Sequence, residues 1–292
     1  MRREGAPKCQ RSTSLGKVGR GADRLGSRVH ELCSGGPASL GFVLTIGFPA
    51  AAFDTNCFVL ARERGSECVI VDPGIGVLPG LAEILRDHRL KPVAVLLTHG
   101  HIDHVYSVTP VCRGEAGTAY LAPVPTPRGD AGREGELPAY LHGQDRYRLA
   151  DPLSGVDVGL RSMLEAQFGS AATWTEPSDV REVRDGDSIS LAGLDFRAHH
   201  APGHTEGSVM FSLADVPDQL QGRVGSTLVS GDVLFAGSIG RCDLPGGDER
   251  AMDRSLREVV LPMPDDRLVL PGHGDITTIG QERRSNPFLR RL

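Results

Sequence analysis

The chain has 292 residues with 32 basic and 37 acidic side chains, a net charge of -5 that offers no basic surface to nucleic acid or an anionic membrane. Its length allows one large domain or two small ones with a full core, and its 37 Gly and 20 Pro promise many tight turns without reaching low complexity. The longest uncharged stretch, Leu32 to Phe53, is interrupted by Ser34, Gly35, Gly36, Pro37 and Pro49, which excludes a membrane-spanning helix there.

Residues 1–40 stand apart: six Arg and two Lys against three acids, seven Gly, no aromatic residue and no apolar periodicity. They are expected to be disordered or dispensable. A secretory signal fits poorly, because cleavage after Ala50-Ala51-Ala52 would remove Val43 to Phe48, which has the pattern of a first β-strand. A misassigned leader is the first reading and a transit peptide the second. Six scattered cysteines (Cys9, Cys33, Cys57, Cys68, Cys112, Cys242) form no CxxC pair or disulfide framework, so a reducing, cytoplasmic setting is expected.

Strand and helix signals then alternate, which predicts an α/β architecture. Strands are expected at Cys57–Leu60 and Cys68–Val71, and the spacing of Leu78, Leu81, Ala82 and Leu85 predicts an amphipathic helix closing near His88. Val93 to Leu97 has the pattern of a strand buried on both faces. Residues 112–180 are Gly- and Pro-rich between Arg113 and Pro138, with a helix expected from Val158 to Phe168, and have the character of an inserted, lid-like region. Further strands are expected at 188–191, 194–197, 208–211, 227–230 and 267–270, with a helix near 253–260.

The strand ending at Leu97 runs straight into Thr98-His99-Gly100-His101-Ile102-Asp103-His104. Neutral imidazole nitrogens and a hard carboxylate oxygen suit zinc, iron or manganese. On extended backbone His99 and His101 share a face and can reach one ion, while Asp103 and His104, past the bend, can reach a second. The bland alternative is a His-rich surface loop. His204, in Pro202-Gly203-His204-Thr205, and His273, in Pro271-Gly272-His273, also stand at strand exits, and convergence on one metal centre gives them a common reason. Asp232 sits between Gly231 and Val233-Leu234-Phe235, where a buried carboxylate is costly unless paired or bound to metal. Asp72 either orients a ligating imidazole or forms an Asx turn before Pro73-Gly74. Arg241 either grips an anionic substrate group or pairs with Asp243.

Taken in order, the HxHxDH stretch, Pro202 to Ser208, Gly231 to Phe235, Gly240-Arg241-Cys242-Asp243 and Pro271-Gly272-His273 resemble the metallo-β-lactamase fold superfamily, and most closely its glyoxalase II-like hydrolases, over residues 42–292. The stretch Thr277 to Leu289 is similar to the tail of the shorter bacterial glyoxalase II-like proteins. The resemblance implies a four-layer αββα sandwich with metals at one end of two packed sheets. It implies that His99, His101 and His204 hold one ion, Asp103, His104 and His273 the other, and that Asp232 bridges them. Nineteen residues follow His273, so the helical C-terminal domain with which longer glyoxalase II enzymes contact glutathione is not expected.

The expected function is hydrolysis of a small-molecule thioester, of the S-lactoylglutathione type, or of a related ester, by a hydroxide shared between two divalent ions, zinc first with iron or manganese next. Asp103 would aim that hydroxide. A persulfide dioxygenase with one iron is the alternative within enzymes. A metal-stabilised binding module without turnover is the alternative outside them.

Overall fold

The structure, a computed structural model, describes residues 30–32, 41–115, 135–152, 158–168 and 175–292. In the first sheet β1 (His30–Leu32), β2 (Phe42–Pro49), β3 (Asn56–Ala61), β4 (Glu67–Val71), β5 (Lys91–Leu96), β6 (Ala139–His142) and β7 (Val180–Val183) lie side by side in sequence order. The second sheet is built from β8 (Ser188–Leu191), β9 (Leu194–His200), β10 (Val209–Leu213), β12 (Ser226–Gly231), β13 (Arg267–Pro271) and β14 (Thr277–Thr278), in the spatial order 14-13-12-10-9-8. Between β10 and β12, the short β11 (Val216–Pro217) crosses back to pair with the start of β2.

Side-chain alternation along these strands builds the layers, because successive residues point to opposite faces. From β3, Phe58 and Leu60 face the second sheet and meet Phe196, Phe211 and Leu270, whereas Cys57 and Val59 face outward. That outer face is covered by α1 (Leu78–His88), through Leu81, Ile84 and Leu85, and by α3 (Val108–Cys112). From the second sheet Met210, Leu228 and Val269 point outward instead, toward Met252 of α6 (Glu249–Ser255), the π-helical turn Leu256–Val260, and Ile279 of α7 (Ile279–Ser285). Helix, sheet, sheet, helix is the expected four-layer sandwich. Strands buried on both faces carry uninterrupted apolar runs, as in Val69-Ile70-Val71.

The expected strands and the helices Leu78–His88 and Val158–Phe168 (α5) are present. Much of the N-terminal extension and part of the 112–180 region lie outside the described residues. Where they are described, each contributes to the first sheet: β1 pairs with β2, and β6 joins β5 and β7 in parallel. A four-residue strand in which Ala139 and Leu141 face outward and Tyr140 and His142 the other way has too little apolar pattern to announce itself. Among the described residues no helix is long and apolar enough to cross a membrane.

Strand directions place the chemistry at one end. β4 and β5 run parallel in one sheet and β12 and β13 in the other, and the loops leaving all four, together with the β9–β10 loop, meet there. The backbone N–H of Val209 donates to the Thr98 carbonyl (2.9 Å) and that of Asn56 to the Gly272 carbonyl (2.7 Å), tying the two sheets together at this end.

Candidate metal centre

Leaving β5, the chain stays extended through His101 (φ -68°, ψ 146°) and then turns into the short helix α2 (Ile102–Val105). Three imidazole nitrogens converge: His101 Nδ1 lies 3.1 Å from His99 Nε2 and 2.8 Å from His204 Nε2, which are 3.2 Å from each other. Past the bend, Asp103 Oδ2 is 3.5 Å from His104 Nε2 and 3.2 Å from His273 Nε2. Asp232 stands between the two groups, with Oδ2 3.5 Å from both His204 Nε2 and His273 Nε2 and Oδ1 3.3 Å from His104 Nε2. All seven side chains expected to meet are thus brought together.

The opposite ring nitrogens are held by hydrogen bonds that fix the tautomers. His104 donates Nδ1–H to Asp72 Oδ2 (2.9 Å), His204 to the Arg241 carbonyl (2.7 Å) and His273 to the Phe53 carbonyl (3.1 Å). Thr98 donates its hydroxyl to Asp72 Oδ2 (2.6 Å) and so accepts from His99 Nδ1 (3.1 Å). Each of these four therefore points its Nε2 at the centre, and His99 and His204, held neutral, present lone pairs there. The lone pairs of His99 and His204 face each other with no proton of their own to share.

Burial sharpens the point. His99, His104, His204 and Asp232 are buried, and His104 Nε2 and Asp232 Oδ1 have no hydrogen-bond partner. Each such orphan costs about 1–3 kcal/mol, and a cation between facing lone pairs removes the cost. Burial, reinforced by the charge on His104, holds His99 well below the usual imidazole range. Burial and the neighbouring His204 push His101 down to about 3. For Asp103 burial works upward, but the charge on His104 and the hydrogen bond from His273 outweigh it and keep the carboxyl below its ordinary range. His99, His101 and His204 are thus held neutral beside ionised carboxylates, the states a divalent metal requires, whereas Asp232, Asp103 and Asp72 raise His104 against its burial, so that a metal there would displace a proton.

Asp72 accepts from His104 Nδ1 and from the backbone N–H of Thr98 (2.8 Å), the contacts expected of a residue that orients the imidazole. Arg241 forms a two-point ion pair with Asp243 (2.8 and 2.7 Å), both side chains exposed, while its carbonyl aligns His204. Three residues the sequence did not single out complete the surroundings. Thr55 donates to Asp103 Oδ2 (3.0 Å), Thr98 links His99 to Asp72, and the buried Asp145 braces two ligand loops. Only Thr98, next to the first histidine, had a signal in its position. His199 and His200 bond to the Ser212 hydroxyl and the Glu206 carbonyl, away from the cluster.

A cavity of about 640 Å³ opens over the cluster, walled by Phe53, Ile102, Phe235, Ile239 and Leu244 with Arg148 at one side. Beneath it Gly272 is required by space: a Cβ would lie 2.1 Å from Asp232 Oδ1 and 2.8 Å from His104 Cε1. Gly272→Ala is therefore expected to weaken metal affinity by at least ~10-fold, the scale seen when ligand orientation is disturbed. Metal content measured after dialysis checks this, and full retention would show that the methyl is accommodated.

Comparison with known proteins agrees with this geometry. The Haemophilus influenzae hydroxyacylglutathione hydrolase GloC is 32% identical over 82% of this chain and 95% of its own length. The crystal structure of BLEG-1 B3 metallo-beta-lactamase superposes with a TM-score of 0.62 at 34% identity, covering 83% of this chain and 98% of its own. That of TTHA1623 in a di-iron-bound form gives 0.57 at 33%, covering 82% and 98%. A sequence profile of the Metallo-beta-lactamase superfamily matches residues 50–273, a span that takes in every side chain of the cluster. By that match the chain belongs to the Metallo-beta-lactamase superfamily.

Proposed function

We propose that the protein is a metal-dependent hydrolase that cleaves a thioester, or a related ester, of a small molecule. The observation that carries this reading is the position of Asp232, one carboxylate facing two complete three-residue ligand groups. His99, His101 and His204 would hold one divalent ion, Asp103, His104 and His273 the other, with Asp232 shared. The nitrogen-rich donor set suits zinc first, with iron and manganese compatible. Bound there, the ions would supply a water of pKa about 7 and a Lewis acid for a carbonyl oxygen.

The chain's own residues do the rest. Asp103 Oδ2, facing the cavity and kept ionised, accepts a hydrogen bond from the attacking water and aims it, while Thr55 fixes the carboxylate's orientation. Asp72 and the Arg241 and Phe53 carbonyls hold the imidazoles in one tautomer. Phe53, Ile102, Phe235 and Leu244 present an apolar wall to the acyl group. Among the described residues the only histidines on that wall belong to the cluster, so no separate imidazole waits for a leaving group. A thiolate needs little protonation to depart, which favours a thioester over an amide. Similarity to an enzyme named for hydroxyacylglutathione supports the same choice.

The test is a substrate panel on metal-loaded protein: S-lactoylglutathione, a simple acyl thioester, an oxygen ester, a β-lactam and glutathione persulfide with oxygen. Thioester turnover abolished by a chelator and restored by zinc is expected. Oxygen uptake on the persulfide with one iron per chain, or β-lactam opening without thioester cleavage, would overturn the reading.

A further inference from the structure

Asp145 lies in the 112–180 stretch, closing the 3₁₀ turn Gly143–Asp145 before α4 (Arg146–Ala150), and is fully buried. Its Oδ2 accepts from the backbone N–H of Gly100 (2.7 Å) and the hydroxyl of Thr205 (2.8 Å), and its Oδ1 from the backbone N–H of Gly207 (2.9 Å). Gly100 is the residue between His99 and His101, and Thr205 follows His204. One carboxylate thus grips the chain between two members of the three-histidine group and immediately after the third. Space for it is reserved: a Cβ on Gly207 would come 2.7 Å from Asp145 Cγ, and one on Gly100 3.2 Å from the Asp145 carbonyl. Arg148 extends the brace, with Nε 3.4 Å from Asp145 Oδ1 and Nη2 donating to Glu206 (2.7 Å) and to the Pro245 carbonyl (2.7 Å) at the cavity wall.

The other group is supported independently. Asp103 is held by Thr55, His104 by Asp72 and His273 by the Phe53 carbonyl, and Asp145 touches none of them. We propose that Asp145 is the positioning residue of the His99–His101–His204 half of the centre alone. It sets the spacing of three ligands from two loops that are about a hundred residues apart in sequence. The proposal rests on the two-ion reading and is indifferent to the substrate.

Asn at this position keeps the shape but not the acceptors. Both oxygens face backbone N–H groups, which cannot reverse, so the Asn amide must turn an NH₂ toward Gly100 or Gly207. The experiment titrates the metal-free full-length protein with Co²⁺, following the visible absorption of the bound ion and competition with a chromophoric chelator. Wild type is expected to take up two equivalents. Asp145→Asn should weaken one of them by ~10–100-fold, as loss of an outer partner does, and leave the other unchanged. Thr205→Val should weaken the same equivalent by a smaller factor, and Thr205→Ser should restore it, which keeps the test alive if Asp145→Asn does not fold. Two unchanged affinities would overturn the proposal. So would a parallel loss of both equivalents with a lower melting temperature of the metal-free protein, the signature of a merely structural residue. Uptake of fewer than two equivalents by wild type would overturn the two-ion reading itself, and the proposal with it.

Discussion

Asp232→Ala is expected to empty both halves of the centre at once, taking bound metal from two ions per chain to well under one and turnover down by at least ~10³-fold. Among the described residues Asp232 is the carboxylate within 3.5 Å of ligand nitrogens from both groups. Its Oδ2 is equidistant from His204 and His273, and its Oδ1 has His104 as its nearest basic atom. Truncation leaves His104 buried without the first of the carboxylates that offset its burial and raise its pKa. Breaking a buried pair by removing one member costs about 3–5 kcal/mol, so the metal-free variant should also melt several degrees lower. Metal analysis beside a thermal melt separates the effects: lost metal with an unchanged melt of the metal-free protein would place Asp232 among the ligands but outside the fold's support. Two ions retained would remove it from the centre.

The contrast between Asp232 and Asp145 shows what a sequence carries. Asp232 is legible because its neighbours explain it: a polar residue between a strand and an apolar run must be buried, and a buried carboxylate needs a partner. The four ligand stretches share that property, each following a strand whose apolar pattern is strong. The layers are legible for the same reason, since the alternation of β3 and the unbroken run of β4 state which faces are covered. Asp145 has no such signal. It sits after a four-residue strand that exists only because β5 and β7 lie beside it, and its partners are 45, 60 and 62 positions away. Asp72 and Arg241 fall between. The residue type gave two readings each, and what the structure adds is distant or local placement: His104, 32 positions on, bonds to Asp72, and Arg241 pairs with Asp243.

Asp103→Asn is expected to separate binding from chemistry. Within the centre Asp103 is the carboxylate more open to the cavity, its side chain 19% exposed against 8% for Asp232. Its Oδ2 accepts from Thr55 and lies 3.2 Å from His273 Nε2, and the residue lines the cavity. An Asn amide keeps the volume and one oxygen for Thr55, so the fold and the three-histidine half should be untouched and the second ion weakened rather than lost. The amide cannot hold the water's proton, however, and general-base assistance of this kind is worth ~10²–10⁴-fold. Because the apolar wall proposed to receive the acyl group is unaltered, the loss should appear in kcat with KM changed by no more than ~3-fold, the pattern of an interaction made only in the transition state. Steady-state kinetics at saturating metal reads this directly. A variant within tenfold of wild type would relieve Asp103 of any proton-accepting role, and an unaltered binding function with no turnover in either protein would return the chain to the class of metal-stabilised binding modules.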